Sequence, residues 1–189
     1  MIHASPILVI AASVRPKRIA PQIAAWVAAL GREAMGEVFE VVDLKDWPLP
    51  MDDEPEIPAA GAYGEPHTRA WSAKIDSAAG FVFVTPQYNW GYPAPLKNAL
   101  DHLYREWAGK PAMIVSYGHH GGNRCDEQLR QVCQGLNMKP VTTRTELVIS
   151  RERIEANAGE IEPGSEFAAH LPDLRQALAE LAAALTPAP

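Results

Sequence analysis

Short apolar runs alternate along this chain with longer segments in which apolar residues recur at helical spacing. A continuous apolar run is typical of a buried parallel strand, whereas apolar positions that recur every three or four residues indicate an amphipathic helix. The runs that predict strands are Ile7–Ala11, Val38–Leu44, Gly80–Thr85, Pro111–Ser116 and Pro140–Ile149. The segments that predict helices are Ile19–Leu30, His67–Ala79, Pro95–Trp107, Cys125–Leu136 and Phe167–Leu185.

Strands that alternate with helices predict an α/β fold with a parallel sheet and helices on both of its faces. The chain has 189 residues, of which 47% are hydrophobic, enough for one compact domain and too few for two. We therefore predict a single domain over residues 1–189, a three-layer αβα sandwich around five parallel strands. Ligands bind such sheets outside the carboxyl ends of the strands. The loops after the first, third and fourth strands are therefore the expected site.

Composition narrows the possible partners. The net charge of −6 argues against a general nucleic-acid surface. No apolar run of about 18 residues predicts a membrane span, and Met1 to Ala12 lacks the basic head of a signal peptide. Cys125 and Cys133 lie about 12 Å apart on one predicted helix, too far for a disulfide. We expect a cytoplasmic protein with two free thiols.

The first loop, residues 12–18, concentrates positive charge in an acidic protein. It joins a strand to a helix N-terminus, where free backbone N–H groups favour an anion. Ser13 adds a hydroxyl donor, and Arg15 and Arg18 add guanidinium groups suited to phosphate oxygens. Because the dinucleotide and Walker glycine patterns are absent, a mononucleotide phosphate is the expected ligand. The competing interpretation is a solvated basic turn.

The other two loops offer a place for a planar ring. Residues 85–93 hold three aromatic side chains and the amide of Asn89, which fit either a ring-binding loop or an ordinary turn packed on the sheet. Residues 116–122 are rich in glycine, which lets backbone N–H groups approach a ligand. Adjacent histidines such as His119 and His120 rarely bind one metal ion together. The G-x-S-x-G motif of serine hydrolases is absent. We predict no metal site and no catalytic side chain.

With these loops in view, the chain resembles the NADPH-dependent FMN reductase family, which includes quinone and azo reductases. The stretches that carry the resemblance are residues 12–18, 65–71, 83–89 continuing through 92–101, and 109–112 with 116–118. The most specific is the proline-rich run Tyr92-Pro93-Ala94-Pro95-Leu96 that leads into Lys97-Asn98-Ala99-Leu100-Asp101. The resemblance implies a flavodoxin-like fold with strand order 2-1-3-4-5.

The resemblance also implies roles for eight residues. Ser13, Arg15 and Arg18 would hold the FMN phosphate, Pro86, Gln87, Tyr88 and Asn89 would line the isoalloxazine ring, and Gly118 would reach its pyrimidine edge. This chain departs from the family at two of its positions. Ala12 stands where Gly is usual, so its Cβ is expected either to obstruct a turn with positive φ or to narrow the phosphate-binding loop. Gln87 replaces an acid, a change expected to affect the flavin potential or the choice of substrate.

By resemblance, we predict an enzyme in which NAD(P)H and then an acceptor such as a quinone or azo compound use one flavin face in turn. The alternative is a non-catalytic electron carrier or regulatory protein. The absence of acids between Pro86 and Leu100 favours the enzyme. The aromatic rings of Trp90, Tyr92, Tyr104 and Trp107 crowd one segment, which predicts a homodimer or homotetramer with the Pro95–Trp107 helix in its interface.

Overall fold

The computed structural model describes residues 5–51 and 53–186; the predictions for residues 1–4, Asp52 and 187–189 lie outside them. One parallel sheet forms the middle layer, in the order β2-β1-β3-β4-β5, and β6 also pairs with β4. The strands are β1 (Ile7–Ala11), β2 (Phe39–Asp43), β3 (Gly80–Pro86), β4 (Pro111–Gly118), β5 (Lys139–Pro140) and β6 (Thr145–Val148). The predicted flavodoxin-like fold and strand order are confirmed.

Helices cover both faces of the sheet. They are α1 (Ala20–Met35), α2 (Pro66–Asp76), α3 (Ala94–Asp101), α4 (Asn123–Gly135), α5 (Arg151–Ala156), α6 (Pro163–Glu166) and α7 (Leu171–Leu185). Successive strand residues point to opposite faces, so β1 divides its side chains between two cores. Val9 packs with α1 and α7 in one core, and Leu8 packs with Trp71 and Trp107 in the other. Within the described residues, no helix combines the length and apolar character needed to cross a bilayer.

The predicted fifth strand is interrupted. Glu180 on α7 accepts hydrogen bonds from the backbone N–H groups of Thr142 and Thr143, at 2.7 and 3.0 Å. Arg130 on α4 donates to the carbonyls of Val141 and Thr143. These side chains form hydrogen bonds with backbone N–H and C=O groups that would otherwise pair with β4. The strand is therefore interrupted, and β5 and β6 pair with β4 separately. The hydrogen bonds from Thr143 and Thr142 lower the pKa of Glu180 to about 2.

The predicted helix Pro95–Trp107 is also shorter than expected. α3 ends at Asp101, and a separate 3-10 turn covers Arg105–Trp107. Trp107 has no exposed surface; its ring centre lies 4.9 Å from that of Phe81, and its indole N–H donates to Leu100 O at 3.2 Å. The placement of Trp107 in a subunit interface is therefore wrong, because the second core has room for both Trp71 and Trp107.

Candidate active site

The three loops singled out from the sequence meet at one edge of the sheet. Parallel pairing sets Ala11 beside Val84 and Pro86 beside Tyr117, so the carboxyl ends of β1, β3 and β4 lie side by side. A cleft of about 710 Å³ opens there, within the size range of small-molecule sites. Its lining includes five predicted residues, namely Ser13, Arg15, Arg18, Pro86 and Tyr88.

Tyr88, in the second loop just after β3, contacts the first loop. The buried Ser13 Oγ lies 2.8 Å from the Tyr88 hydroxyl, and the Arg15 guanidinium carbon lies 3.9 Å from the centre of the Tyr88 ring. Arg15 is exposed at the mouth of the cleft. A hydroxyl, a phenol and a guanidinium group therefore converge at a single point, where an anionic oxygen would find both charge and donors.

Arg18 is held differently from Arg15. One of its terminal nitrogens pairs with the Asp43 carboxylate at the end of β2, and the other donates to Arg15 O at 3.4 Å. Its Nε is buried and has no hydrogen-bond partner among the described residues. Asp43 offsets part of the positive charge of Arg18, but the orphaned Nε–H still needs an acceptor. A phosphate group in the cleft would satisfy that need.

Ala12 does not obstruct the loop. Its side chain is fully buried in the second core, its N–H donates to Val84 O at 3.0 Å, and it is absent from the residues with positive φ. The expectation of a strained turn at Ala12 is therefore wrong, because the chain continues there in a conformation open to any L residue. The methyl group fills core space and needs no compensating change in the loop.

The strained turn lies instead in the second loop. Tyr88 and Gly91 exchange backbone hydrogen bonds of 2.8 and 3.0 Å around Asn89 and Trp90, whose φ angles are 49° and 72°. This is the geometry of a tight hairpin turn in which both central residues are left-handed. Asparagine tolerates that conformation, whereas tryptophan rarely adopts it. Trp90 is 66% exposed, and the Arg124 guanidinium carbon lies 5.3 Å from the centre of its ring.

Gln87, Asn89 and Gly118 do not line the cleft. The Gln87 carboxamide oxygen accepts hydrogen bonds from the backbone N–H groups of Arg124 and Cys125, at 3.0 and 3.3 Å. It thus caps the first turn of α4, whose N-cap residue, Gly122, has no side chain. Gly118 packs behind this contact, where an added Cβ would lie 3.6 Å from Gln87 Cβ. Contacts of these three residues with a flavin remain predictions.

One wall of the cleft comes from a segment that was not predicted to be part of the site. Residues 149–160, which include α5, lie opposite the basic loop. Gln22 donates to Gly159 O at 3.2 Å, and a Cβ on Gly159 would lie 3.2 Å from Lys17 Cα. Ser150 caps α5 by accepting from Arg153 N–H at 3.2 Å. A serine before a short polar run was the available signal for this helix.

Tyr117, at the end of β4, belongs to the predicted third loop but was given no role of its own there. It is 6% exposed and lines the cleft next to Pro86. Burial raises the pKa of its hydroxyl far above the ordinary value, so the group stays protonated at neutral pH. Burial likewise raises the pKa of both Cys125 and Cys133, to about 12 in each case. Neither free thiol is therefore an activated nucleophile.

An open parallel sheet with a basic, aromatic cleft at its switch point defines a flavodoxin-like nucleotide-binding protein. Comparison with known proteins narrows this class. The family model described as NADPH-dependent FMN reductase matches residues 5–150. The chain belongs to the NADPH-dependent FMN reductase family.

Individual relatives agree with this assignment. The chain is 52% identical over 176 residues to an NAD(P)H-dependent FMN reductase of Schizosaccharomyces pombe, covering 92% of this chain and 87% of the relative. It is 32% identical over 161 residues to a 2-hydroxy-1,4-benzoquinone reductase of Burkholderia sp, covering 80% and 82%. The fold matches that of FerB, a flavoenzyme NAD(P)H:(acceptor) oxidoreductase of Paracoccus denitrificans, with a TM-score of 0.70, 18% identity, and coverage of 96% and 97%.

Proposed function

We propose that this protein is an NAD(P)H-dependent oxidoreductase that holds FMN in the cleft and reduces quinones, azo compounds or similar acceptors. The observation that carries the proposal is the convergence of Ser13, Arg15 and Arg18 in a cleft that is also lined by the aromatic rings of Tyr88 and Tyr117. Membership of the FMN reductase family supports the same cofactor.

The residues of the cleft divide into two groups by chemistry. Ser13, Arg15 and Arg18 suit the phosphate, because each offers an N–H or O–H donor and two carry charge. Pro86 and Tyr88 suit the ring, and we propose that Gln87, Asn89 and Gly118 support it from the adjoining loops. Bound FMN supplies the hydride chemistry, accepting from NAD(P)H and delivering to the acceptor.

The protein itself would position the cofactor and exclude water from the cleft. The wall of residues 149–160 covers one side of the basic loop, and the ion pair between Arg153 and Glu166, at 2.9 Å, fastens that wall to α6. The neutral Tyr117 hydroxyl adds a donor without adding charge. No side chain need act as general acid or base, so Arg15, Tyr88 and Tyr117 act as binding and orienting groups.

Two observations favour an enzyme over a carrier or regulatory protein. The segment from Pro86 to Leu100 contains no acidic residue, whereas an electron carrier is expected to surround its exposed flavin edge with acidic residues. The relatives described above are named as reductases of FMN or of a benzoquinone. A quinone is accordingly the first acceptor to assay.

Steady-state kinetics with NAD(P)H and a quinone should be ping-pong. A single cleft next to the first loop serves both the donor and the acceptor, so each must leave before the other binds. Double-reciprocal plots of initial rate at several fixed quinone concentrations should give parallel lines, measured on protein loaded with FMN. Converging lines would contradict the shared cleft. An FMN-loaded protein that fails to oxidise NADH or NADPH with any acceptor would overturn the proposed function.

We propose further that the protein is a homodimer or homotetramer. Large apolar side chains are exposed on two separate stretches of sequence: Met51 and Ile57 on the long loop between β2 and α2 (residues 44–65), and Tyr104 after α3. Exposed groups of this kind mark subunit interfaces. Light scattering at micromolar concentration should give at least twice the chain mass. A monomer mass with full reductase activity would contradict this assembly.

The two free, buried thiols support a reducing compartment, and we propose the cytoplasm. We also propose that residues 1–189 form one FMN-binding domain, since both cores share the same sheet.

A further inference from the structure

Three potential metal ligands meet on the long loop side of the molecule, away from the cleft. Asp53 belongs to the loop before α2, His67 lies in the first turn of α2, and His102 follows α3. Their ligand atoms all lie within 4.8 Å of one another, the one group of its kind found in the described part of the chain. None of the three lines the cleft.

The tautomer of His102 is set by its backbone contact. Its Nδ1 lies 2.8 Å from Asn98 O, and because a carbonyl only accepts, Nδ1 carries a proton. In the neutral ring, the other nitrogen, Nε2, then presents a lone pair. The His102 side chain is only 3% exposed, and its Nε2 has no hydrogen-bond partner among the described residues. A buried acceptor left unsatisfied in this way needs an explanation, and this tautomer is the one that binds metals.

The distances match a metal coordination shell. Asp53 Oδ1 lies 3.1 Å from His67 Nε2 and 3.9 Å from His102 Nε2. Zinc bonds of about 2.0–2.1 Å place neighbouring ligands of a tetrahedron roughly 3.3 Å apart. The Asp53–His67 distance is already close to this value, and His102 Nε2 needs to approach Asp53 Oδ1 by about 0.6 Å to reach it. A cavity of about 30 Å³ adjoins Asp53 and His102, enough for one water molecule as a fourth ligand.

The loop that carries Asp53 is anchored on both sides. Before it, the Asn98 amide donates to Leu49 O at 2.9 Å. After it, the Glu54 carboxylate accepts from the N–H groups of Gly64 and Glu65, at 2.8 and 2.9 Å. Asn98 thus both orients the His102 ring and holds the loop. Such second-shell contacts preorganise ligands before the metal arrives.

We propose that Asp53, His67 and His102 bind a divalent transition metal of the zinc class, with water as the fourth ligand. Two imidazoles and one carboxylate suit zinc and exclude magnesium, which prefers oxygen ligands. The metal would clamp the long loop to the start of α2 and the end of α3. The site is independent of the cofactor and of the proposed reaction. It departs from the expectation of no metal, which rested on the sequence spacing of the histidines alone.

The test is a titration of the untagged full chain, stripped with a chelator and loaded with FMN, by isothermal calorimetry with ZnCl₂. One site per chain is expected, and millimolar Mg²⁺ should not compete. His102→Gln should weaken binding about 100-fold or more. His67→Gln, at a partly exposed position that tolerates change better, should do the same. The double variant His119→Ala/His120→Ala is the matched control and should bind as the wild type does.

Thermal unfolding gives a second readout. Zinc at about 100 times its Kd should raise the Tm of the wild type by about 5–10 °C, and should leave the Tm of His67→Gln unchanged. No binding to the wild type overturns the proposal. So does binding that survives in His67→Gln and disappears in the His119/His120 variant, because that outcome places the metal on the surface histidine pair.

Discussion

Replacing Arg15 with alanine is expected to weaken FMN binding about 10- to 150-fold. A hydrogen bond to a charged group contributes about 1.5–3 kcal/mol, and Arg15 is the guanidinium of the first loop with no carboxylate partner among the described residues. Its charge is therefore free to act on a phosphate, whereas that of Arg18 is shared with Asp43. The measurement is quenching of flavin fluorescence during titration of the apoprotein.

Riboflavin separates the phosphate contact from the rest of the site. The wild type should prefer FMN over riboflavin by a similar factor, and Arg15→Ala should leave riboflavin affinity nearly unchanged. Arg124→Ala is the matched control, because Arg124 is an exposed arginine in the first turn of α4 that does not line the cleft. Equal affinity of the wild type for riboflavin and FMN would rule out the phosphate assignment.

Trp107→Ala is expected to lower the free energy of unfolding by about 3–5 kcal/mol, the usual cost of removing a large buried ring. The indole is fully buried, lies within 6.4 Å of the ring centres of Phe81, Phe83 and Trp71, and makes a hydrogen bond to Leu100 O. Truncation would leave a cavity at the centre of the second core. Urea unfolding followed by circular dichroism measures the loss.

Trp90→Gly provides the contrast. Trp90 is largely exposed and has a φ of 72°, so glycine at this position should leave stability unchanged or raise it by up to about 1 kcal/mol. The effects of the two substitutions on the free energy of unfolding should therefore differ by at least about 3 kcal/mol. If Trp107→Ala instead kept its stability and only lowered the mass in solution, the interface interpretation would be restored.

The overall fold could be predicted because its signals are local. Apolar runs of strand length, helical spacing and the loops between them all depend on neighbours in sequence, and the same pattern placed the first loop at the edge of the sheet. The break in the fifth strand could not, because it is caused by Glu180 and Arg130, which approach residues 141–143 only in the folded chain.

Part of the candidate site could likewise be predicted from the sequence. Ser13, Arg15 and Tyr88 follow strands that pair, so their meeting follows from topology. The wall of residues 149–160 was missed because α5 is short and exposed and has no apolar face to reveal it. The Asp53, His67 and His102 group was missed because its members are 14 and 35 positions apart and share no spacing pattern.

The burial of the two cysteines has a consequence for an enzyme that handles quinones. Quinones are electrophiles that alkylate thiolates, so a reductase risks damage from its own substrate. Because burial raises the pKa of both thiols to about 12, they stay protonated at neutral pH. Cys125 and Cys133 are the only cysteines of the sequence, and both side chains are fully buried. The folded protein therefore presents almost no thiolate to the acceptors that it is proposed to reduce.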